Sequence, residues 1–210
     1  MSESFYTVDQ TAASRAVLDE LLFLHPDAIL IGGWGTWVRV GGQMSHDIDL
    51  IVTSEQRADI AVIAQDVSTS THLAGKKWRA TYRDIHVDMY EPYNSRLGEA
   101  LSLRVEELAP FAERVDDFRV LSLAAHIATK WAALLDRPDT LPGEKDRHEL
   151  LNLLDQDGAN ETPQIIRAAS THDADRVNEL ILTGFGYLAE SKEADRNERR
   201  RLARIAKAWT

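Results

Sequence analysis

Cysteine is absent from the 210 residues. The chain therefore has no disulfide framework and no thiolate metal site. Long apolar runs are absent too, since no stretch reaches the ~20 residues that a membrane-spanning helix needs. The segment Met1 to Gln10 lacks the basic-then-apolar order of a signal peptide. These absences lead us to expect a cytoplasmic protein with no membrane partner. Positive charge is also in deficit, with 24 Lys and Arg against 34 Asp and Glu and a net charge of −10. A general nucleic-acid coat protein would be basic. No Gly-x-Ser-x-Gly elbow supports serine hydrolysis, and the seven histidines show no zinc-type spacing. There is no internal repeat and no low-complexity segment.

What is present is a core-forming composition, 44% hydrophobic and 28% charged. Val17, Leu18, Leu21 and Leu22 recur at helical spacing, with Asp9 or Thr11 as the cap, and His25-Pro26-Asp27 ends that helix. Ala28 to Ile31 reads as a buried strand stopped by Gly32-Gly33. Trp34 to Val40 reads as a short helix, and Asp47 to Val52 as a second strand. Ser54 to Gln65 reads as an amphipathic helix capped by Ser54. Lys77 to Tyr82 and Ile85 to Tyr90 read as two strands joined through a tight Arg83-Asp84 turn. Beyond this the pattern turns helical, over 121–135, 144–154, 162–169, 174–188 and 195–209. The expected fold is α+β: a small mixed sheet with flanking helices, followed by an all-helical C-terminal half. The expected division is 1–110 and 111–210, with the border between about 100 and 118.

The chemistry concentrates in Ser45-His46-Asp47-Ile48-Asp49-Leu50. Side chains alternate faces along a strand, so Asp47 and Asp49 share one face and Ile48 and Leu50 the other. Two neighbouring carboxylates repel, and a divalent cation removes the conflict. Magnesium suits one or two carboxylates plus substrate phosphates. In Ile85 to Tyr90, Val87 and Met89 alternate with His86, Asp88 and Tyr90. If the two strands are neighbours, Asp88 joins the same face. Three carboxylates could hold two metals, or Asp88 could serve as a general base. Alone, each acid also suits an ordinary exposed strand or turn.

Gly32 and Gly33 sit between a strand and a helix. Glycine lets a ligand approach the backbone, and a helix start offers free N–H groups to an anion. A plain tight turn uses the same residues. Gly32-Gly33-Trp34-Gly35 has neither dinucleotide-fingerprint nor P-loop spacing.

The order strand, Gly-Gly, helix, Asp-hydrophobic-Asp-hydrophobic resembles the nucleotidyltransferase fold superfamily. Thirteen residues, Trp34 to His46, separate the glycines from the first acid, and Asp88 matches the third acid on a later strand. Ser45-x-Asp47-Ile48-Asp49-Leu50 is similar, more narrowly, to the AbiEii-type nucleotidyltransferases, which include the MenT-like toxins of toxin–antitoxin pairs. That likeness covers about residues 28 to 154. It extends to Lys130 on a helix, then Arg137, then Lys145-Asp146, with Glu149 as the nearest second acid. Where the group often carries a basic residue before the serine, this chain has Gln43, and Arg39 is the nearby substitute.

The resemblance implies a metal-dependent nucleotidyltransferase. Such an enzyme moves an NMP from an NTP, ATP among them, to an acceptor hydroxyl with release of pyrophosphate. It implies an RNA acceptor, a tRNA 3′ end, and a cognate antitoxin. A protein side chain, an aminoglycoside, or a non-catalytic antitoxin-like module on the same fold are the alternatives. The implied catalytic and metal residues are Asp47, Asp49 and Asp88, with Mg2+ or Mn2+. The implied nucleotide-binding residues are Gly32, Gly33, Ser45, Lys130, Lys145 and Asp146.

Four further groups have bland readings beside functional ones. Lys76, Lys77, Arg79 and Arg83 read first as charge guarding an edge strand, and second as a contact for RNA or a phosphate tail. Trp34 and Trp37 suit packing, or stacking on a base. His46 and His86 flank the acids. The cations between Lys192 and Lys207 form a solvated helix face or a patch for RNA phosphates or an acidic partner.

Overall fold

The structure, a computed structural model, describes residues 8–70 and 76–210. Helix α1 (Val8–Leu24) precedes β1 (Ile29–Ile31), α2 (Gly32–Val40) and β2 (Ile48–Ile51). Then come α3 (Ser54–Ile63), β3 (Gln65–Ser70), β4 (Lys77–Tyr82) and β5 (Ile85–Tyr90). A small ribbon of β6 (Arg96–Leu97) and β7 (Leu103–Arg104) leads into the short α4 (Val105–Leu108). Strands β8 (Ala112–Val115) and β9 (Phe118–Leu121) follow. The chain closes with α5 (Leu123–Asp136), α6 (Leu141–Leu153), α7 (Thr162–Ala169), α8 (Ala174–Ala189) and α9 (Arg196–Trp209).

Seven strands form one mixed sheet in the order β3-β4-β5-β2-β1-β9-β8. Strand β2 pairs antiparallel with β1 and parallel with β5, and β1 pairs parallel with β9. Strand alternation then divides the core. Leu30, Ile48, Leu50, Val87 and Met89 point to one face, where α1 packs with Val17, Leu18 and Leu21. Ile29, Ile31, Ile51, Tyr90 and Leu121 point to the other, where the helices from α5 to α9 cover them. The acids of β2 and β5 fall on this second face. It is apolar along part of its area and ends in carboxylates beneath α5 and α6.

Local signals explain most element ends. The turn between β4 and β5 places Arg83 and Asp84 at φ +48° and +64°, the paired left-handed geometry of a tight hairpin. Helix α6 begins at Leu141 rather than Glu144, because Pro142 is tolerated in a first helical turn and the Thr140 hydroxyl caps it. Helix α3 is capped by Thr53 and not by the expected Ser54. Thr53 and Gln56 exchange side-chain and backbone bonds in a capping box. Thr11 lies inside α1, and the side chain of Asp9 falls outside the described residues.

Five strands lie outside the sequence expectation, the two of the β6–β7 ribbon and three of the main sheet. Gln65–Ser70 lacks an apolar alternation, yet it follows α3 as a strand and pairs with β4. Strands β8 and β9 extend the sheet to Leu121, beyond the border expected at 110. Four-residue strands joined at Asp116, itself at φ +52°, carry too few alternating positions to stand out. No helix among the described residues is long and apolar enough to cross a membrane.

Candidate active site

Asp49 and Asp88 are directly paired across β2 and β5. On the β1 side, Ile31 is the partner of Asp49, and Gly32 follows it at φ +64°. A side chain on Gly32 would run into the Asp49 carboxylate, so glycine alone lets the β1–α2 turn lie against that acid. A Cβ on Gly33 would stand 2.7 Å from Ser45 Oγ and 3.1 Å from Lys145 Nζ. The two glycines thus make room for the acid on one side and for a hydroxyl and a cation on the other. Among the described residues no side chain caps the start of α2, whose first two residues, Gly32 and Gly33, border the same space.

That space is a cavity of about 510 Å³ between the sheet and the α5–α6 pair. All nine residues expected at the site line it: Gly32, Gly33, Ser45, Asp47, Asp49, Asp88, Lys130, Lys145 and Asp146. Lys77, Arg79 and Arg137 join them. An apolar stretch of Leu97, Ala133, Leu141 and Pro142 completes the wall.

The three sheet carboxylates differ in environment. The Ser45 hydroxyl donates to Asp47 at 2.8 Å. Burial alone would raise the Asp47 carboxyl, but this bond and the Lys145 charge outweigh it and hold the group below its ordinary value. Among the described residues Asp49 has no such bond. Withdrawal from water, then the charges of Asp47 and Asp88, push it up to about 7. Asp88 is buried and held by cations. Arg79 donates to both its oxygens at 2.6 and 2.8 Å, and Lys77 Nζ adds a bond at 2.9 Å. Tyr90, next on the same face, is raised well above its ordinary value by burial and then by Asp49 and Asp88, so its hydroxyl keeps its proton.

The three acids expected to hold metal thus stand in different surroundings. Among the described residues no three His, Asp or Glu side chains converge into a metal-holding group. Asp88 shares the face, but both its oxygens already accept from cations. The residues present fit one divalent ion better than two. Asp47 and Asp49 project together, and the raised Asp49 marks excess negative charge that a cation would relieve.

The helical wall is a charge lattice. Lys130 is buried between Glu149 and Asp146, the latter at 3.2 Å. Burial alone would lower Lys130, and these two carboxylates outweigh it and raise the ammonium above its ordinary value. Arg137 Nε donates to the other Asp146 oxygen at 2.8 Å, and Lys145 stands 3.7 Å from Glu149. Asp146 is 1% exposed with both oxygens engaged. It holds Lys130 and Arg137 rather than facing a ligand freely. Below this lattice the Thr36 hydroxyl lies 3.0 Å from His126 Nε2 and within bonding reach of Gly32 O and Glu149. Burial holds His126 far below its ordinary value, so the imidazole is neutral.

Several functional readings find no support. Trp34 is fully buried, donates to Ser14 and packs edge-on against Trp37. Arg39 reaches Glu113 and the Leu121 carbonyl, not the cavity. His46 and His86 do not line the cavity either. Conversely, Lys77 and Arg79 are not guards of an edge strand. Strand β3 covers β4, which makes β4 internal and turns these two cations onto Asp88. Their alternation with Trp78 and Ala80 is the available signal.

No protein-family model matches the chain, and no curated protein matches it. Solved structures do. ANT(2″)-Ia in complex with adenylyl-2″-tobramycin is 16% identical, with a TM-score of 0.52 over 77% of this chain and 97% of that one. An antigenic nucleotidyltransferase-like protein from Paracoccidioides brasiliensis is 12% identical, with a TM-score of 0.49 over 96% of this chain and 94% of that one. JHP933 from Helicobacter pylori is 12% identical, with a TM-score of 0.47 over 97% and 90%. The fold, a mixed sheet with flanking helices, matches nucleotidyltransferase-like folds.

Proposed function

We propose that the protein transfers a nucleoside monophosphate from an NTP to an acceptor hydroxyl and releases pyrophosphate. The observation that carries this reading is the meeting of Asp47, Asp49, the bare start of α2 and a lattice of cations around one cavity. Carboxylates on one wall with cations and free N–H groups on the other suit a triphosphate bound with a divalent ion.

Asp47 and Asp49 would hold magnesium or manganese. When bound, the ion neutralises charge developing on the α-phosphate. Ser45 fixes the Asp47 carboxylate. The N–H groups at the start of α2 donate to non-bridging phosphate oxygens. Lys145 and Arg137 neutralise the β- and γ-phosphates, and Asp146 and Glu149 keep Lys130 and Arg137 in place. Asp88 acts by orienting Lys77 and Arg79 beside it on the sheet wall, where they offset negative charge beside the leaving group. Leu97, Ala133 and Leu141 offer an apolar seat for the base. The acceptor oxygen forms its bond to the α-phosphorus as the bond to the pyrophosphate oxygen breaks, and the hydroxyl proton passes to solvent.

The acceptor we propose is an RNA 3′ terminus, with a toxin setting and a cognate antitoxin, on the strength of the AbiEii-type resemblance of residues 28–154. Each radiolabelled NTP is incubated with magnesium and tRNA, mixed protein or tobramycin. We expect label on tRNA, lost on omission of the metal and lost in Asp49→Ala at unchanged circular dichroism. Label on protein or tobramycin instead would replace the acceptor. Full transfer by Asp49→Ala would overturn the reading.

A further inference from the structure

The cavity does not use the most concentrated positive charge in the molecule, which lies on α9. That helix carries Arg196, Arg199, Arg200, Arg204 and Lys207 on its exposed side, with Arg201 turned inward. At 3.6 residues per turn these five span an arc of about 140°. The remaining residue within that arc is Ala203. The opposite side is the anchor. Leu202 and Trp209 are buried, and Trp209 lies against Trp131 and Phe185 with ring centroids 5.2 Å away in each case. Arg201 is tied to Glu198, Asp155 and the Leu154 carbonyl.

The five outward cations have no carboxylate partner among the described residues. The single acid of α9 beyond its cap, Glu198, is taken by Arg201, and the cap Asp195 is spent on the N–H groups of Asn197 and Glu198. In a chain of net charge −10, a face of unpaired cations held rigidly by a buried tryptophan concentrates positive potential. It is a local patch rather than a share of the general balance.

We propose that this face of α9 binds the phosphate backbone of RNA. Two features favour a nucleic acid over an acidic protein. Four of the five cations are arginine, which grips phosphate through two parallel bonds. The arc also holds no aromatic or large aliphatic side chain of the sort that anchors protein interfaces. The choice of RNA over DNA rests on the acceptor reading above. The patch is separate from the cavity. The first turn of α6 lines the cavity while its last turn receives Arg201, and 13 residues of helix span on the order of 20 Å. An RNA held at α9 would thus be gripped on its body, away from any reacting end.

The test is fluorescence anisotropy with a labelled 20-nucleotide RNA, the DNA of the same sequence and polyglutamate as competitor. It compares the full chain with Arg196→Gln/Arg200→Gln/Arg204→Gln. All three positions are exposed, and circular dichroism and melting report on folding. Arg200→Glu serves as a second variant should the triple one melt early. We expect at least a tenfold loss of RNA affinity in the triple variant. We also expect the slope of log K against log salt to fall by about 2, near 0.7 for each phosphate no longer neutralised. Unchanged affinity in both folded variants, tighter binding of DNA than RNA, or displacement by polyglutamate at equal charge overturns the proposal. Asp49→Ala separates the two readings. RNA binding that persists in a chain without transfer activity leaves α9 standing and removes only the enzyme. Transfer to a small acceptor without RNA binding does the reverse.

Discussion

Asp49 and Asp88 face one another across a parallel strand pair, yet of the two only Asp88 makes direct ion pairs among the described residues. Arg79 and Lys77 reach over from β4 and place their hydrogen bonds on Asp88. Asp49 is left between two negative neighbours and rises to about 7. The asymmetry marks Asp49 as the acid in need of a foreign cation.

Asp49→Asn should stabilise the metal-free protein at alkaline pH while abolishing transfer. A carboxyl whose folded value is raised from 3.8 to about 7 keeps its proton in the fold after the unfolded chain has lost it. Stability therefore falls as pH rises between about 4 and 7. Asparagine removes that loss. In EDTA at pH 8 the variant should melt several degrees above the parent, by ~2–4 °C per kcal/mol. Near pH 4 the difference should vanish. Equal melting at pH 8 would contradict the raised carboxyl.

Magnesium binding should release a proton from Asp49. Calorimetry near pH 6.5 in buffers of different ionisation heat should show a fraction of a proton released per ion. Affinity should climb by up to about tenfold per pH unit below 7 and level off above it. A pH-independent affinity with no proton release would remove Asp49 from the metal seat.

Much of this site is legible in the sequence because its signals are local. Asp47, Asp49 and the glycine pair lie within eighteen residues, Gly32 to Asp49, and strand alternation fixes which residues share a face. Asp88 becomes legible once its strand is read beside β2. The role of Lys77 and Arg79 escapes a local reading because it depends on β3, a largely exposed strand whose one apolar residue, Val67, gives it no apolar face. Asp146 is expected from the sequence to meet the nucleotide. Its two bonds to Lys130 and Arg137 depend on how α5 and α6 dock, which no local pattern encodes.

Gly33→Ala should spare the fold and weaken nucleotide binding. Its Cβ would meet Ser45 Oγ and Lys145 Nζ at 2.7 and 3.1 Å, so the hydroxyl on Asp47 and the cation must both give way. We expect Kd for NTP to rise at least tenfold, about 1.4 kcal/mol, by isothermal titration. Gly32→Ala should also lose ~1–2 kcal/mol of stability, because its φ of +64° is left-handed. Wild-type affinity in Gly33→Ala would dissociate the turn from the phosphates.

Arg79→Met should depress kcat/KM by roughly 10–100-fold, the loss of about 1.5–3 kcal/mol that a charged hydrogen bond supplies. Lys77→Met should do less, since it makes one bond to Asp88 where Arg79 makes two. Steady-state kinetics on both variants at saturating metal decide the order. The reverse ranking would mean that Asp88 is not the route by which Arg79 acts.

The pairing of β1 with β9 has a consequence for synthesis. Leu30 waits for Val120, and Thr36 for Glu149. As the chain leaves the ribosome, the acids and glycines appear first and the cations of α5 and α6 last. A nascent or prematurely ended polypeptide thus carries half a pocket, repulsive carboxylates without their counter-wall. The pocket is completed late, only after some 150 residues have emerged.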